Sequence, residues 1–172
     1  MAADAPAGPI RVRHAAVWSS NGSMEFHVAT ETGWSSLREN ATFQKDRSVV
    51  VDTITLDHFA SKENLSRVVL LKLDIEGAET DALLGAKECM GKGMFDHILL
   101  EAEPQRLAAF GRSGQAIATL MEQYRFEPVA MIREDRLQKV SKRERVPGAF
   151  NGDYLYSRRP LVGQTIQALF RE

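Results

Sequence analysis

Three acidic residues follow directly after an apolar segment near the middle of the chain. Val68 to Leu73 form a dense apolar run that Lys72 interrupts, and Asp74, Glu76 and Glu79 come after it. A carboxylate in such a place can accept the proton of a hydroxyl group, offset the positive charge of a ligand, or bind a hard cation. These acids are therefore the first candidates for chemistry.

The residues around the acids predict a strand, an acidic turn and a helix. The run from Val68 to Leu73 contains β-branched residues and is typical of a strand buried on both faces. Gly77 permits a sharp turn, and apolar residues recur every fourth position from Ala78 to Met90, which indicates a helix. In open α/β sheets, ligands bind at the carboxyl ends of strands, so the acids lie where chemistry is expected.

A second acidic strand end follows. The segment from His97 to Glu103 reads as a strand closed by Pro104, with Glu101 and Glu103 at its carboxyl end. A helix is predicted from Ile117 to Tyr124 by its apolar spacing. Alternating strands and helices predict an α/β fold with parallel central strands.

The flanking segments predict further strands. Ile10 to Val17 and Met24 to Val28 alternate apolar and polar residues, and Asn21-Gly22 between them predicts a tight turn. The remaining predicted elements are a strand at Val49–Ile54, a short helix at Leu56–Ala60 capped by Thr55, a strand at Pro128–Ile132, a charged loop at Arg133–Arg145, a final short strand at Asp153–Tyr156 and a helix at Val162–Phe170. The C-terminal part is expected to finish with antiparallel edge strands, and a site for an anionic substrate group is an alternative interpretation of the charged loop. Residues 1–9 read as a flexible leader, and residues 161–172 as a terminal helix or tail.

Composition excludes several classes of protein. The 172 residues suffice for one domain, and a net charge of −1 does not favour nucleic acid as a partner. The single cysteine, Cys89, excludes a disulfide framework and is expected to be a buried thiol. No apolar run approaches the length of a membrane span, and the first residues do not form a secretory signal, which favours a cytoplasmic protein.

The central motif resembles a known family. Leu71-Lys-Leu-Asp-Ile-Glu-Gly-Ala-Glu79, followed by Leu84-Gly-Ala86, is similar to the signature of FkbM-type methyltransferases. Weaker matches follow the family's order at Ala16 with the Gly22 turn, Ser35-Ser36-Leu37, Thr55-Leu-Asp57 and Ile98-Leu-Leu-Glu101. The resemblance covers roughly residues 10 to 158.

This resemblance implies a class I, S-adenosylmethionine-dependent methyltransferase with a three-layer, Rossmann-like α/β fold. It implies methyl transfer to a hydroxyl of a small-molecule, sugar or lipid-like acceptor. No metal ligands are assigned. The implied catalytic residues are Asp74, Glu76 and Glu101, with Asp74 as the first candidate for the base. The implied cofactor-binding residues are Ala16, Asp74, Ile75, Glu76 and Gly77.

One family feature is missing from the sequence. The family's Gly-rich cofactor loop, Asp-x-Gly-Ala-Asn-x-Gly after its first strand, has no counterpart here. Residues 10–160 are therefore expected to match the C-terminal part of the domain, without its first two strands and their helices. One edge of Val68–Leu73 would then be unpaired and could mediate a homodimer or another strand pairing. Weak or absent S-adenosylmethionine binding is expected for this chain alone.

Two other interpretations stay open at this point. Asp74, Glu76 and Glu101 could form a carboxylate–metal site, or the chain could be a non-catalytic remnant or interaction module of the same fold. A family-eighteen glycosidase is disfavoured, because Lys72 stands where those enzymes have an acid and the chain is shorter than a barrel. The acceptor-contacting loops are expected at Thr30–Arg47 and Arg133–Phe150.

Overall fold

The computed structural model describes residues 10–29, 45–133, 136–140 and 152–159. Its strands are β1 (Ala16–Val17), β2 (Gly22–Ala29), β3 (Lys45–Ile54), β4 (Val68–Leu73), β5 (Phe95–Glu101), β6 (Glu127–Arg133), β7 (Arg136–Lys139) and β8 (Asp153–Ser157). Its helices are α1 (Leu56–Lys62), α2 (Glu79–Leu84), α3 (Lys87–Gly91), α4 (Pro104–Ala109) and α5 (Gly114–Gln123). The predicted leader, the Ser35-Ser36-Leu37 match and the terminal helix lie outside the described residues, as do most of the two predicted acceptor loops.

The larger sheet has five strands in the order β4-β5-β8-β6-β7. Strands β4 and β5 are parallel, and β8 runs antiparallel to both β5 and β6. This arrangement confirms an α/β fold with parallel strands at the acidic ends. The predicted strand at Asp153–Tyr156 is confirmed as β8, and the antiparallel strands expected near the C-terminus are β8, β6 and β7. Among the described residues β7 is the edge strand, whereas β8 lies inside the sheet with Tyr154, Leu155 and Tyr156 buried. The charged loop predicted at Arg133–Arg145 is wrong in part, since Arg136–Lys139 forms β7 at the sheet edge.

Strand β4 is the first strand in this order and pairs with β5 among the described residues. The expected burial on both faces is wrong, because Val69 is 55% exposed and Lys72 is exposed. A terminal strand has one side without a neighbour, which explains this exposure. The position of β4 at the end of the sheet therefore agrees with the unpaired edge that the resemblance implies. The absence of the family's first two strands stays a prediction.

A second, smaller sheet has the order β1-β3-β2. Strand β1 pairs with β3 in parallel and β2 pairs with β3 antiparallel, so the two predicted strands are present on either side of the turn but pair with β3 and not with each other. The turn is attached to β3 instead: the Thr53 hydroxyl donates to the Ser20 carbonyl at 3.0 Å, and the Asn21 side-chain oxygen accepts from the Thr55 N–H at 2.9 Å. The first strand is also shorter than expected, because it contains only Ala16 and Val17.

The helix predicted from Ala78 to Met90 is broken into α2 and α3. At the break, a Cβ atom on Gly85 would overlap the carbonyl oxygen of Trp18, and the Gly85 carbonyl accepts from the Asp57 N–H at 2.9 Å. The Asp57 carboxylate then accepts the N–H groups of Glu88 and Cys89 at 3.0 and 2.8 Å. Asp57 thereby caps the second helix, whose first N–H groups have no partner within the helix.

All five described helices contribute to one apolar core on one face of the larger sheet, through residues that include Leu56, Leu83, Met90, Leu107 and Ile117. The opposite face carries a smaller cluster around Leu99, Ala130 and Leu155. The predicted third layer stays a prediction. Cys89 is buried as expected, and burial raises the pKa of its thiol to about 12. None of the described helices combines the length and apolar character that a membrane span requires.

Candidate functional site

Five carboxylates gather where β4 and β5 end and β8 begins. We call this set the acidic end; its members are Asp74, Glu76, Glu101, Glu103 and Asp153. Glu101 and Asp153 are opposite one another in the β5–β8 ladder, so their Cβ atoms are about 5 Å apart. The sequence predicted the parallel ends of β4 and β5, but it did not bring Asp153 to them, because that contact depends on where β8 enters the sheet.

The turn after β4 has an unusual backbone. Glu76 has a φ of +60° and Gly77 a φ of +100°. The left-handed conformation costs a non-glycine residue about 1–2 kcal/mol, so neighbouring contacts must hold Glu76 in place. Gly77 is required for a second reason, since a Cβ atom there would lie 2.5 Å from the carbonyl oxygen of Arg106. The turn therefore packs closely against α4.

The side chain of Glu79 stabilises the backbone of this turn. Its side chain is almost fully buried, and Oε1 accepts the N–H of Ile75 at 3.1 Å and the N–H of Gly77 at 3.3 Å. Burial raises the pKa of Glu79 to about 7, although the two N–H groups oppose that shift. The carboxyl group therefore serves the shape of the turn, and it sits in the first turn of α2 as the sequence suggested.

Arg106 is the most important residue of the acidic end that the sequence analysis did not predict. Its guanidinium forms ion pairs with Glu76, with Glu101 at 3.1 Å and with Glu103. It lies on α4, a helix that the sequence analysis did not predict. The signal was present, because Pro104 occupies the first turn of that helix, where proline is favoured.

Asp74 has a different partner and a different environment. Its carboxylate binds the Lys72 ammonium at 2.9 Å, and its side chain is 49% exposed. The hydrogen bond that the Lys72 ammonium donates to Asp74 raises the pKa of Lys72. Among the three acids that the sequence singled out as catalytic, Asp74 is thus the most accessible to a ligand.

Burial changes the proton affinity of the other acids. It raises the pKa of Glu76 and of Glu101 above the ordinary glutamate value, and the nearby Arg106 opposes both shifts. Burial also raises the pKa of Asp153, and the charge on Asp74 adds to this effect. Carboxyl groups with raised pKa values accept protons more readily near neutral pH than exposed ones.

The remaining residues predicted to bind a cofactor lie on the apolar side of the turn. Ala16 and Ile75 both pack against the buried pair Ala78 and Phe110. The ring of Phe110 also contacts Trp18, at 5.9 Å between ring centroids. The structure therefore brings Asp74, Ile75, Glu76 and Gly77 together and places Ala16 beside the same apolar cluster.

The metal interpretation can be compared with this geometry. Carboxylate oxygens of Asp74, Glu76 and Glu101 lie within 4.8 Å of one another, a spacing that a divalent cation could bridge. The guanidinium of Arg106 already supplies positive charge to two of the three. The donor set therefore fits an acidic cluster neutralised in part by the protein's own cation better than a metal centre.

Comparison with known proteins agrees with the central motif. The model of the Methyltransferase FkbM domain matches residues 8–128, more than half of the chain. The chain is 28% identical over 104 residues to the 2-O-methyltransferase NoeI of Sinorhizobium fredii (strain NBRC 101917 / NGR234), an alignment that covers 52% of this chain and 43% of that protein. The chain thus spans less than half the length of that relative. No solved structure gives a significant match.

Proposed function

Because the chain belongs to the FkbM methyltransferase family, we propose that it transfers a methyl group from S-adenosylmethionine to a hydroxyl oxygen of a small-molecule, sugar or lipid-like acceptor. In this reaction the acceptor oxygen attacks the methyl carbon, the carbon–sulfur bond breaks, and the hydroxyl proton passes to a base. Positioning of the two reactants supplies much of the rate in such a transfer. The relative's printed activity, 2-O-methylation, supports oxygen as the acceptor atom.

The observation that carries this proposal is the excess of negative charge at the acidic end. Five carboxylates share two paired cations, Lys72 and Arg106. S-adenosylmethionine carries a positive sulfonium, and a surplus of carboxylates attracts it. The turn residues Asp74 to Gly77, with Ala16 beside them, are the proposed contacts of this donor.

Asp74 is the proposed base. It follows β4 directly and is half exposed, whereas Glu76 and Glu101 are bound by Arg106. Its partner Lys72 has a long and flexible side chain that can move away when an acceptor hydroxyl approaches. Glu76 and Glu101 are the second candidates, and their raised pKa values suit proton acceptance.

The test of this function is transfer of labelled methyl from S-adenosylmethionine by the product of the complete reading frame that contains this chain. The acceptors are a monosaccharide, a polyol and a long-chain alcohol, and the variant is Asp74→Asn. We expect Asp74→Asn to reduce turnover far more than donor binding, by about 10²-fold or more. Unchanged turnover would remove Asp74 from the mechanism.

A wild-type product that transfers label to none of these acceptors and does not bind the donor would favour the non-catalytic alternative. Weak or absent donor binding by this chain alone is a separate prediction. Titration calorimetry of the 172-residue chain with S-adenosylmethionine tests it, and a dissociation constant in the micromolar range would contradict it.

The edge of β4 is the proposed site of pairing with a second copy of the chain. Val69 is exposed there, and β4 has β5 as its partner among the described residues.

A further inference from the structure

The guanidinium of Arg106 connects the ends of two parallel strands. One nitrogen, Nη1, contacts Glu76 in the turn after β4 and Glu101 at the end of β5, the latter at 3.1 Å. A second nitrogen, Nε, contacts Glu103. The side chain is only 14% exposed, so solvent screens these charge-assisted bonds less than it screens a surface ion pair.

The main chain of the same residue supports the same turn. The Arg106 carbonyl lies against Gly77, where even a methyl group would not fit. Glu76 adopts the left-handed conformation immediately before this contact. Both the carboxylate and the backbone of the acidic turn are therefore fixed by one residue of α4.

This arrangement divides the acids into two sets. Glu76 and Glu101 bind Arg106, whereas Asp74 binds Lys72. A planar guanidinium fixes the direction of the carboxylates that it binds, and a lysine ammonium does not. The carboxylates of Glu76 and Glu101 are thus held rigidly, whereas Asp74 beside them can exchange Lys72 for another partner.

We propose that Arg106 is a positioning residue for methyl transfer: it orients the Glu76 and Glu101 carboxylates around the reacting groups and leaves Asp74 to act on the acceptor. This inference rests on the proposed function and adds a residue to it. Arg106 acts through the two glutamates and need not touch donor or acceptor. Arg106→Gln would leave both glutamates without their cation, and Arg106→Lys would restore charge without the planar geometry.

The Arg112–Asp81 ion pair offers a matched control. Arg112 binds Asp81 with two hydrogen bonds, at 3.0 and 2.6 Å, and Asp81 is buried. Arg112→Gln therefore removes an arginine from a buried carboxylate, as Arg106→Gln does, but away from the acidic end. Loss of stability alone would affect both variants.

The experiment has two readouts on wild type, Arg106→Gln, Arg106→Lys and Arg112→Gln. The first is the titration of the Glu76 and Glu101 side chains, followed by NMR of protein labelled with ¹³C at the glutamate carboxyl. We expect Arg106→Gln to raise the pKa of both groups, because Arg106 lowers them, and Arg112→Gln to leave them unchanged. The second is methyl transfer by the same variants of the product of the complete reading frame, for which we expect Arg106→Gln to lower kcat by about 10²-fold with a smaller effect on KM for S-adenosylmethionine.

The outcomes separate the two proposals. Unchanged carboxyl titrations in Arg106→Gln would overturn the inference, whatever the activity. Shifted titrations with wild-type kcat would also overturn it, and so would full rescue by Arg106→Lys, since charge without geometry would then suffice. A wild-type product of the complete reading frame that transfers no methyl group would instead overturn the proposed function, while the titrations would still report whether Arg106 holds the two glutamates.

Discussion

Replacing Glu79 by glutamine should make the protein more stable above neutral pH. Glu79 is 1% exposed, and its Oε1 accepts the N–H groups of Ile75 and Gly77. A glutamine carbonyl oxygen can accept the same two bonds without a charge. The substitution therefore keeps the acidic turn in place and removes only the cost of burying an ionised carboxyl group.

The magnitude follows from the shift in proton affinity. Burial raises the pKa of Glu79 from 4.5 to about 7 in the folded protein. Because the folded state holds the proton more tightly, this group's contribution to stability is full below the unfolded pKa and is lost as the pH rises through the folded pKa. At about 1.4 kcal/mol per pKa unit, the loss between pH 4.5 and pH 8 is about 3 kcal/mol. Glu79→Gln should therefore be close to wild type at pH 5 and up to about 3 kcal/mol more stable at pH 8.

Urea unfolding followed by far-ultraviolet circular dichroism at pH 5 and pH 8 measures this difference. Glu88→Gln is the matched control, because Glu88 is exposed and paired with Lys92 one helical turn away, an arrangement that contributes little to stability. If Glu79→Gln were less stable than wild type at pH 8, the two N–H groups would require an ionised acceptor and the reasoning would be refuted.

Two further predictions concern the break between α2 and α3 and the edge of β4. Gly85→Ala should lower the free energy of unfolding by about 1–3 kcal/mol, because the new methyl group overlaps the Trp18 carbonyl. Thermal unfolding measures this change. Gly91→Ala is the control and should be near neutral, because the nearest atom to its new methyl group lies at 3.8 Å. An unfolding temperature for Gly85→Ala equal to that of wild type would show that the two segments separate without cost. For the edge of β4, sedimentation equilibrium should show that the wild-type chain forms a dimer and that its Val69→Lys variant is monomeric, since a lysine on an edge strand opposes pairing. Equal dimer dissociation constants for the two proteins would place the interface elsewhere.

The sequence predicted the part of the site that is formed by residues close together in the chain. The apolar run, the acids after it and Gly77 lie within the twelve positions from Val68 to Glu79, and the structure confirms the strand and the turn. The position of Asp153 depends on β8 entering between β5 and β6, and no local pattern specifies that order. Long-range packing, and not local propensity, decides such pairings.

The helices show the same division. Spacing predicted a single helix from Ala78 to Met90, because nothing in that segment reveals that the Trp18 carbonyl fits against Gly85. Asp57, thirty-one residues before Glu88, provides the cap that allows a new helix to begin there. By contrast, α4 was within reach of sequence reasoning, since Pro104 is a helix-start signal, and recognising it would have placed Arg106 beside the acids.

The packing of Trp18 gives the protein an optical reporter of its own. The indole stacks at a tilt on Phe110, and Phe110 in turn borders Gly77 in the turn after β4. With Trp34 replaced by phenylalanine, tryptophan fluorescence excited at wavelengths that tyrosine does not absorb would come from this one ring alone. Its emission wavelength and its quenching by acrylamide would then follow the docking of the small sheet, and any shift of the acidic turn on ligand binding, without an attached dye.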